Sequence, residues 1–143
     1  MRALLDVNVL IALLDGSHIH HALAIDWLAS NLETGWASCP ITQNGCIRIL
    51  SQPAYPNPVP SALVAERLAE AARHPAHEFW PDSVSLLQPE CLRWPLILGS
   101  RHVTDTYLLA LAVRQGGRFV TLDRAIPLDA VNGAKPRHLV VIS

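Results

Sequence analysis

Three aspartates in this chain of 143 residues stand where an alternating strand and helix protein would put its chemistry. Asp6 follows the apolar run Ala3-Leu4-Leu5, Asp123 follows Phe119-Val120-Thr121-Leu122, and Asp105 precedes the largely apolar stretch Thr106 to Ala112. In open parallel sheets, ligands bind beyond the carboxyl ends of the strands, so acids just after strands point to one edge. Three carboxylates gathered there would repel one another by ~4 kcal/mol per pair at about 4 Å and an effective dielectric of about 20, so a cation or shifted protonation is needed. Oxygen-only donors suit Mg²⁺ or Mn²⁺, and the matching chemistry is metal-activated water attacking a phosphodiester. Asn8, Thr104, Thr106 and Thr121 are close enough in sequence to support such a site by hydrogen bonding. Each acid alone also has a structural use: Asp105 at a helix dipole, Asp123 capping a turn, Asp6 starting a helix.

The elements that must position these acids are legible from periodicity. Ala3 to Leu5 reads as a buried strand and Val9 to Leu14 as a helix; Ser17 to Leu32 has helical spacing and stops at Thr34-Gly35. Trp36 to Ser38 reads as a short strand, and Pro40 to Leu50 as a helix weakened by Gly45. Four prolines make residues 52–60 a loop, Ser61 to Arg73 a helix follows, and Phe79 to Leu87 reads as strand or extended chain between Pro81 and Pro89. Thr104 is expected to cap a helix from Asp105 to Gln115, ended by Gly116-Gly117, and strands are expected at Arg118 to Leu122 and His138 to Ile142. The alternation predicts a three-layer α/β/α sandwich with a mainly parallel central sheet, as one domain over residues 1–143.

Composition narrows the classes. Half the residues are hydrophobic and 16% are charged, below the ~25% of typical soluble chains, which excludes disorder. No apolar run approaches the ~20 residues of a membrane span, and Asp6 interrupts the stretch a signal peptide would need, so a cytoplasmic location is expected. Cys39, Cys46 and Cys91 are odd in number and form no CxxC pair, which argues for buried thiols over disulfides or zinc. The seven histidines include His18, His20 and His21 at one helix start, but no second ligand pair stands at zinc spacing. Net charge is −1, yet residues 1–90 carry four Arg against nine acids and residues 91–143 carry seven basic residues against three acids. That asymmetry suits an anionic ligand near metal-binding carboxylates. Trp27, Trp36, Trp80 and Trp94 are dispersed and read as core or interface residues.

The segments Leu4 to Leu10, His102 to Ala112 and Gly117 to Arg124, together with His20 to Trp27 and Thr42 to Leu50, resemble PIN-domain ribonucleases, and more narrowly VapC-type toxins. The resemblance runs over nearly the whole chain. It implies a Mg²⁺- or Mn²⁺-dependent endoribonuclease, homodimeric, acting on RNA as a toxin and inhibited by a small cognate antitoxin. It also implies that Asp6 and Asp105 are the principal metal-binding acids and Asp123 the acid after the late strand. The family commonly carries a Glu early in the second conserved helix; residues 40–50 contain no acid, and Gln43 or Asn44 takes that place. An amide binds metal through its oxygen without adding charge, so weaker metal affinity is expected. Arg48, Arg101 and Arg124 are candidates for RNA phosphate contact. Two other readings stay open: a catalytically weak or inactive module binding RNA or antitoxin, and a phosphatase with Asp6 as nucleophile. The second fits poorly, because position 8 is Asn where a proton-donating acid is wanted, and Lys135 is the only lysine.

Overall fold

A computed structural model describes residues 1–143. Five strands, β1 (Ala3–Leu5), β2 (Trp36–Ser38), β3 (His77–Phe79), β4 (Arg118–Thr121) and β5 (Leu139–Val141), form one sheet in the order β3-β2-β1-β4-β5, and every neighbouring pair is parallel. Parallel pairing requires a crossover between partners, and as far as β4 the helices supply it: α1 (Val7–Leu14), α2 (His21–Asn31), α3 (Pro40–Leu50), α4 (Ser61–Ala72) and α5 (His102–Arg114); from β4 to β5 the chain crosses over with only two 3-10 turns, Leu128–Ala130 and Pro136–His138. The expected α/β/α sandwich is thus the observed one.

The three layers follow from strand alternation. On β1, Ala3 and Leu5 face one core with Val9 to Ala12 of α1, Cys46 and Leu50 of α3, and Val64 and Leu68 of α4. Leu4 points the other way, with Ala37, Phe119 and Tyr107 to Ala112 of α5. Leu4, Leu5, Phe119 and Val120 are each fully buried, worth roughly 1.5–3 kcal/mol apiece. The central strands β1 and β4 therefore carry the core between them, and the chain leaves both at the same edge.

Several boundaries differ from expectation. The segment expected as strand at Phe79 to Leu87 is mostly irregular: the strand lies earlier, at His77–Phe79, and ends where the other was to begin. The second helix starts at His21, four residues beyond Ser17, because Ser17 N–H bonds the Asp15 carboxylate at 3.0 Å and residues 17–20 turn instead. Helix α5 begins at His102, so Thr104 is not its cap but lies inside its first turn. The proline-rich 52–60 segment is a loop as expected, closed by Val59 N–H on the Leu50 carbonyl (3.0 Å). Tyr55 within it hydrogen-bonds Asp15, tying the loop to the end of α1.

Candidate active site

Asp6 leaves β1 in extended conformation and caps α1, its Oδ1 accepting from Val7 N–H at 2.7 Å. Its Oδ2 accepts from the Thr121 hydroxyl at the end of β4, at 2.6 Å. Thr121 Oγ1 in turn accepts from Asp123 N–H at 3.0 Å, so two adjacent strand ends are laced together through one hydroxyl. Asp6 is only 6% exposed, and burial pushes its pKa up to about 6; the charges of Asp105 and Asp123 push the same way, while the Thr121 and Val7 hydrogen bonds pull back.

Asp105 arrives from the opposite side, on the first turn of α5, and shares one cleft of about 520 Å³ with Asp6. Burial raises its pKa, with Asp123 adding to the rise and His102 and Arg101 opposing it. His102, three residues earlier and buried, has Nδ1 at 4.0 Å from Asp105 Oδ2. Arg101 Nε donates to His102 Nε2 (3.3 Å), while His102 Nδ1, on the side of Asp105, is buried without a hydrogen-bond partner. No role for His102 was read from the sequence; its i,i+3 spacing to Asp105 was the available signal. Thr104 lines the cleft, whereas the Thr106 hydroxyl is buried and bonds back to the His102 carbonyl at 2.8 Å, which makes it a helix bond rather than a site group.

Asp123 stands beside the cleft, outside its lining, and its Oδ1 accepts from Ala125 N–H at 2.8 Å. Asn8 Oδ1 accepts from Leu122 N–H at 3.4 Å, holding the end of β4 against α1. Position 8, two residues after Asp6, is Asn and not the proton-donating acid of a phosphatase, and Lys135 does not line the cleft.

Helix α3 forms the far wall. Its register turns Asn44 and Arg48 into the cleft and Gln43 away from it: Gln43 Nε2 donates to Ser38 Oγ at 3.0 Å, in a groove against α4. Between the two alternatives left open by the sequence, Asn44 is the amide that shares space with Asp6 and Asp105. Gly45 explains the close approach of this wall. A Cβ there would lie 2.7 Å from Val7 Cγ2, so only glycine lets α3 sit this near α1. Arg101 is exposed at the mouth of α5 and Arg124 is exposed on the bend after Asp123; neither lines the cleft.

No three His, Cys, Asp or Glu side chains converge at metal-holding range. The expected grip of three carboxylates on one ion is therefore not drawn by these side chains; two carboxylates and the Asn44 amide share the cleft, with the third acid next to it. That donor set is all oxygen, and the raised proton affinity of Asp6 and Asp105 marks negative charge that a cation would relieve. Mg²⁺ is ordinarily held by one or two carboxylates with waters and substrate oxygens completing its shell, so the residues present fit it, and Mn²⁺ likewise.

Residues 3–132 match the PIN domain. The chain belongs to the PIN-domain family. Among its PIN relatives, Ribonuclease VapC44 of Mycobacterium tuberculosis is 50% identical over 142 residues, covering 99% of this chain and 100% of the relative. Ribonuclease VapC38 of the same organism is 44% identical over 128 residues, 87% of this chain and 86% of that one. This PIN protein is thus of the VapC type. Among solved PIN structures, VapBC2 from Rickettsia felis, bound to a DNA fragment from their promoter, superposes with a TM-score of 0.64 over 100% of both chains at 14% identity. The Mycobacterium tuberculosis sarcin-ricin loop cleaving toxin VapC20 gives 0.57 over 81% of this chain and 85% of that one, at 12% identity. At these identities the structural likeness speaks for the PIN fold alone.

Proposed function

We propose that this chain is a Mg²⁺- or Mn²⁺-dependent endoribonuclease, a single PIN-like unit over residues 1–143 that hydrolyses RNA phosphodiester bonds as the toxin of a toxin–antitoxin pair. The observation that carries the reading is the meeting of Asp6 and Asp105 in one cleft whose far wall presents Asn44 and Arg48. The ribonuclease names of relatives up to 50% identical over nearly the full length support RNA as the substrate.

Asp6 and Asp105 would hold the ion, with the Asn44 amide oxygen as a neutral third donor. When bound, the divalent ion supplies positive charge that acidifies water and stabilises the negative charge developing on phosphorus oxygens. Thr121 and Val7 N–H fix both Asp6 oxygens in orientation before substrate arrives, which is the preorganisation such a site needs. His102 Nδ1 lies 4.0 Å from Asp105, too far to hydrogen-bond it, and Asp123, next to the cleft, adds negative charge without entering it. Arg48 faces the cleft and would contact the scissile phosphate; Arg101 and Arg124, exposed at its rim, would contact flanking phosphates. Hydrolysis adds water across one P–O bond: the water's oxygen bonds to phosphorus with one hydrogen, and its other proton passes by way of solvent or a carboxylate to the departing sugar oxygen.

The partners in this reading are RNA, a small antitoxin and a second copy of the chain, in the cytoplasm. No helix is long and apolar enough to cross a membrane. The test is cleavage of total RNA with Mg²⁺, with Mn²⁺ and with chelator, by the unsubstituted chain and by Asp6→Asn and Asp105→Asn. Cleavage should require the ion and vanish in both variants while their circular dichroism stays native; cleavage that persists in either overturns the assignment. Light scattering on the purified chain, and mass analysis of any small protein co-purifying from its native host, test the dimer and the antitoxin.

A further inference from the structure

The acidic cleft is continuous with a second depression. Ile41 and Thr104 line both, and beyond them a groove of about 320 Å³ runs between Val84, Leu86 and Val103 to the pair Tyr107 and Asp82. Its walls are aliphatic and its far end is not. Tyr107 is 5% exposed, and its hydroxyl donates to Asp82 Oδ1 at 3.0 Å, which holds the carboxylate of an exposed residue in one position. Asp82 Oδ2 accepts no hydrogen bond from the protein, and no Arg or Lys pairs with the carboxylate. An open groove with a mostly aliphatic lining and one carboxylate held in place, continuous with the acidic cleft, offers what is needed to read a base of single-stranded RNA by its edge.

We propose that this groove is a nucleobase subsite, and that Asp82 selects guanine in the nucleotide next to the one whose phosphate enters the cleft. The proposal rests on the reading that the cleft takes RNA. A carboxylate only accepts hydrogen bonds. On its Watson–Crick edge guanine presents two adjacent donors, N1–H and the 2-amino group, one for each Asp82 oxygen. Adenine and cytosine each set an acceptor nitrogen beside their single amino group, and uracil flanks its one N–H with two carbonyls, so each turns lone pairs toward the carboxylate. The groove's aliphatic walls are indifferent to base identity, so discrimination falls on Asp82 and on Tyr107 as its positioning residue.

The experiment measures binding of fluorescein-labelled heptauridine strands carrying one central guanosine, inosine, adenosine or cytidine to the full chain with Asp105→Asn, alone and combined with Asp82→Asn or Asp82→Ala. Inosine lacks only the 2-amino group. The guanosine strand should bind at least about tenfold tighter than the inosine strand, as expected for one hydrogen bond to a charged acceptor, and either Asp82 substitution should reduce the ratio to below about twofold. Asp82 is exposed and Asp82→Asn keeps an oxygen for the Tyr107 hydroxyl, so that substitution should leave the urea midpoint unchanged, whereas Asp82→Ala gives up the Tyr107 bond and should lower it. Equal binding of guanosine and inosine strands, or a preference that survives both substitutions, overturns the subsite; a groove that docks a protein partner instead would give the same equality. Guanosine-selective binding without any cleavage by the unsubstituted chain would sink the hydrolase reading and leave the subsite standing. Cleavage without guanosine selectivity would do the reverse.

Discussion

Replacing Asp6 by Asn should stabilise the metal-free protein near neutral pH while removing its response to the metal. Asp6 is 6% exposed and its pKa is pushed from 3.8 to about 6, chiefly by burial. Between those values the folded chain holds a proton that the unfolded chain has lost, so stability falls as pH rises through the window and the loss is complete above it. At ~1.4 kcal/mol per pH unit this amounts to about 3 kcal/mol between pH 4 and neutrality, which the neutral amide does not lose. Against that, the amide oxygen can keep only one of the two hydrogen bonds, from Val7 N–H and the Thr121 hydroxyl, a loss of about 1 kcal/mol. In chelator at pH 7.5 the variant should therefore be more stable by about 2 kcal/mol, and at pH 4 less stable by about 1 kcal/mol. Urea titrations followed by tryptophan fluorescence measure both. Added Mg²⁺ at about a hundredfold its dissociation constant should stabilise the unsubstituted chain by ~2.7 kcal/mol and the variant by far less. A variant less stable than its parent at pH 7.5 in chelator, or a difference between the two that is the same at both pH values, would refute the argument that buried negative charge is held ready for a cation.

Thr121→Val keeps the side-chain shape but removes the hydroxyl that lowers the Asp6 pKa; it should raise that pKa above about 6, seen by carboxyl NMR titration, and weaken Mg²⁺ binding. Asn44→Glu adds a third carboxylate to the cleft: the Mg²⁺ concentration for half-maximal cleavage should fall about tenfold, and the metal-free protein should lose about 1 kcal/mol at pH 7.5, measured by urea titration. Gly45→Ala drives a methyl to within 2.7 Å of Val7 Cγ2; a stability loss of about 1–3 kcal/mol is expected, together with weaker RNA binding because the wall bearing Asn44 and Arg48 must retreat, and unchanged affinity would argue against that coupling.

Strand ends were legible where apolar runs met an acid. Leu4-Leu5-Asp6 and Val120-Thr121-Leu122-Asp123 both announce a buried strand leaving a sheet, and β1 and β4 prove to be adjacent. The edge strand β3 was not legible, because His77 and Glu78 give no apolar signal and half of Phe79 is exposed. The following segment, apolar at Val84, Leu86 and Leu87, drew the expectation toward itself while forming no strand. Strand order is a matter of packing between distant parts of the chain and leaves no local mark. Neighbouring amides at 43 and 44 are equivalent on paper; a 100° step around α3 sends one to the cleft and the other to Ser38. The coupling of Asp6 to Thr121 spans 115 residues and emerges only once β1 and β4 lie side by side.

The two principal acids are mounted on parts of the chain with different security. Asp6 stands at the end of a central strand with both carboxylate oxygens hydrogen-bonded. Asp105 sits where a helix emerges from residues 80–101, a stretch whose only regular element is one 3-10 turn at Trp94–Leu96. Amide exchange should accordingly reach the beginning of α5 through partial openings costing less than global denaturation. In the proposed reading, such an opening would take Asp105 out of the cleft while Asp6 stays in place, and a partner that captured that form would silence the site without occupying it.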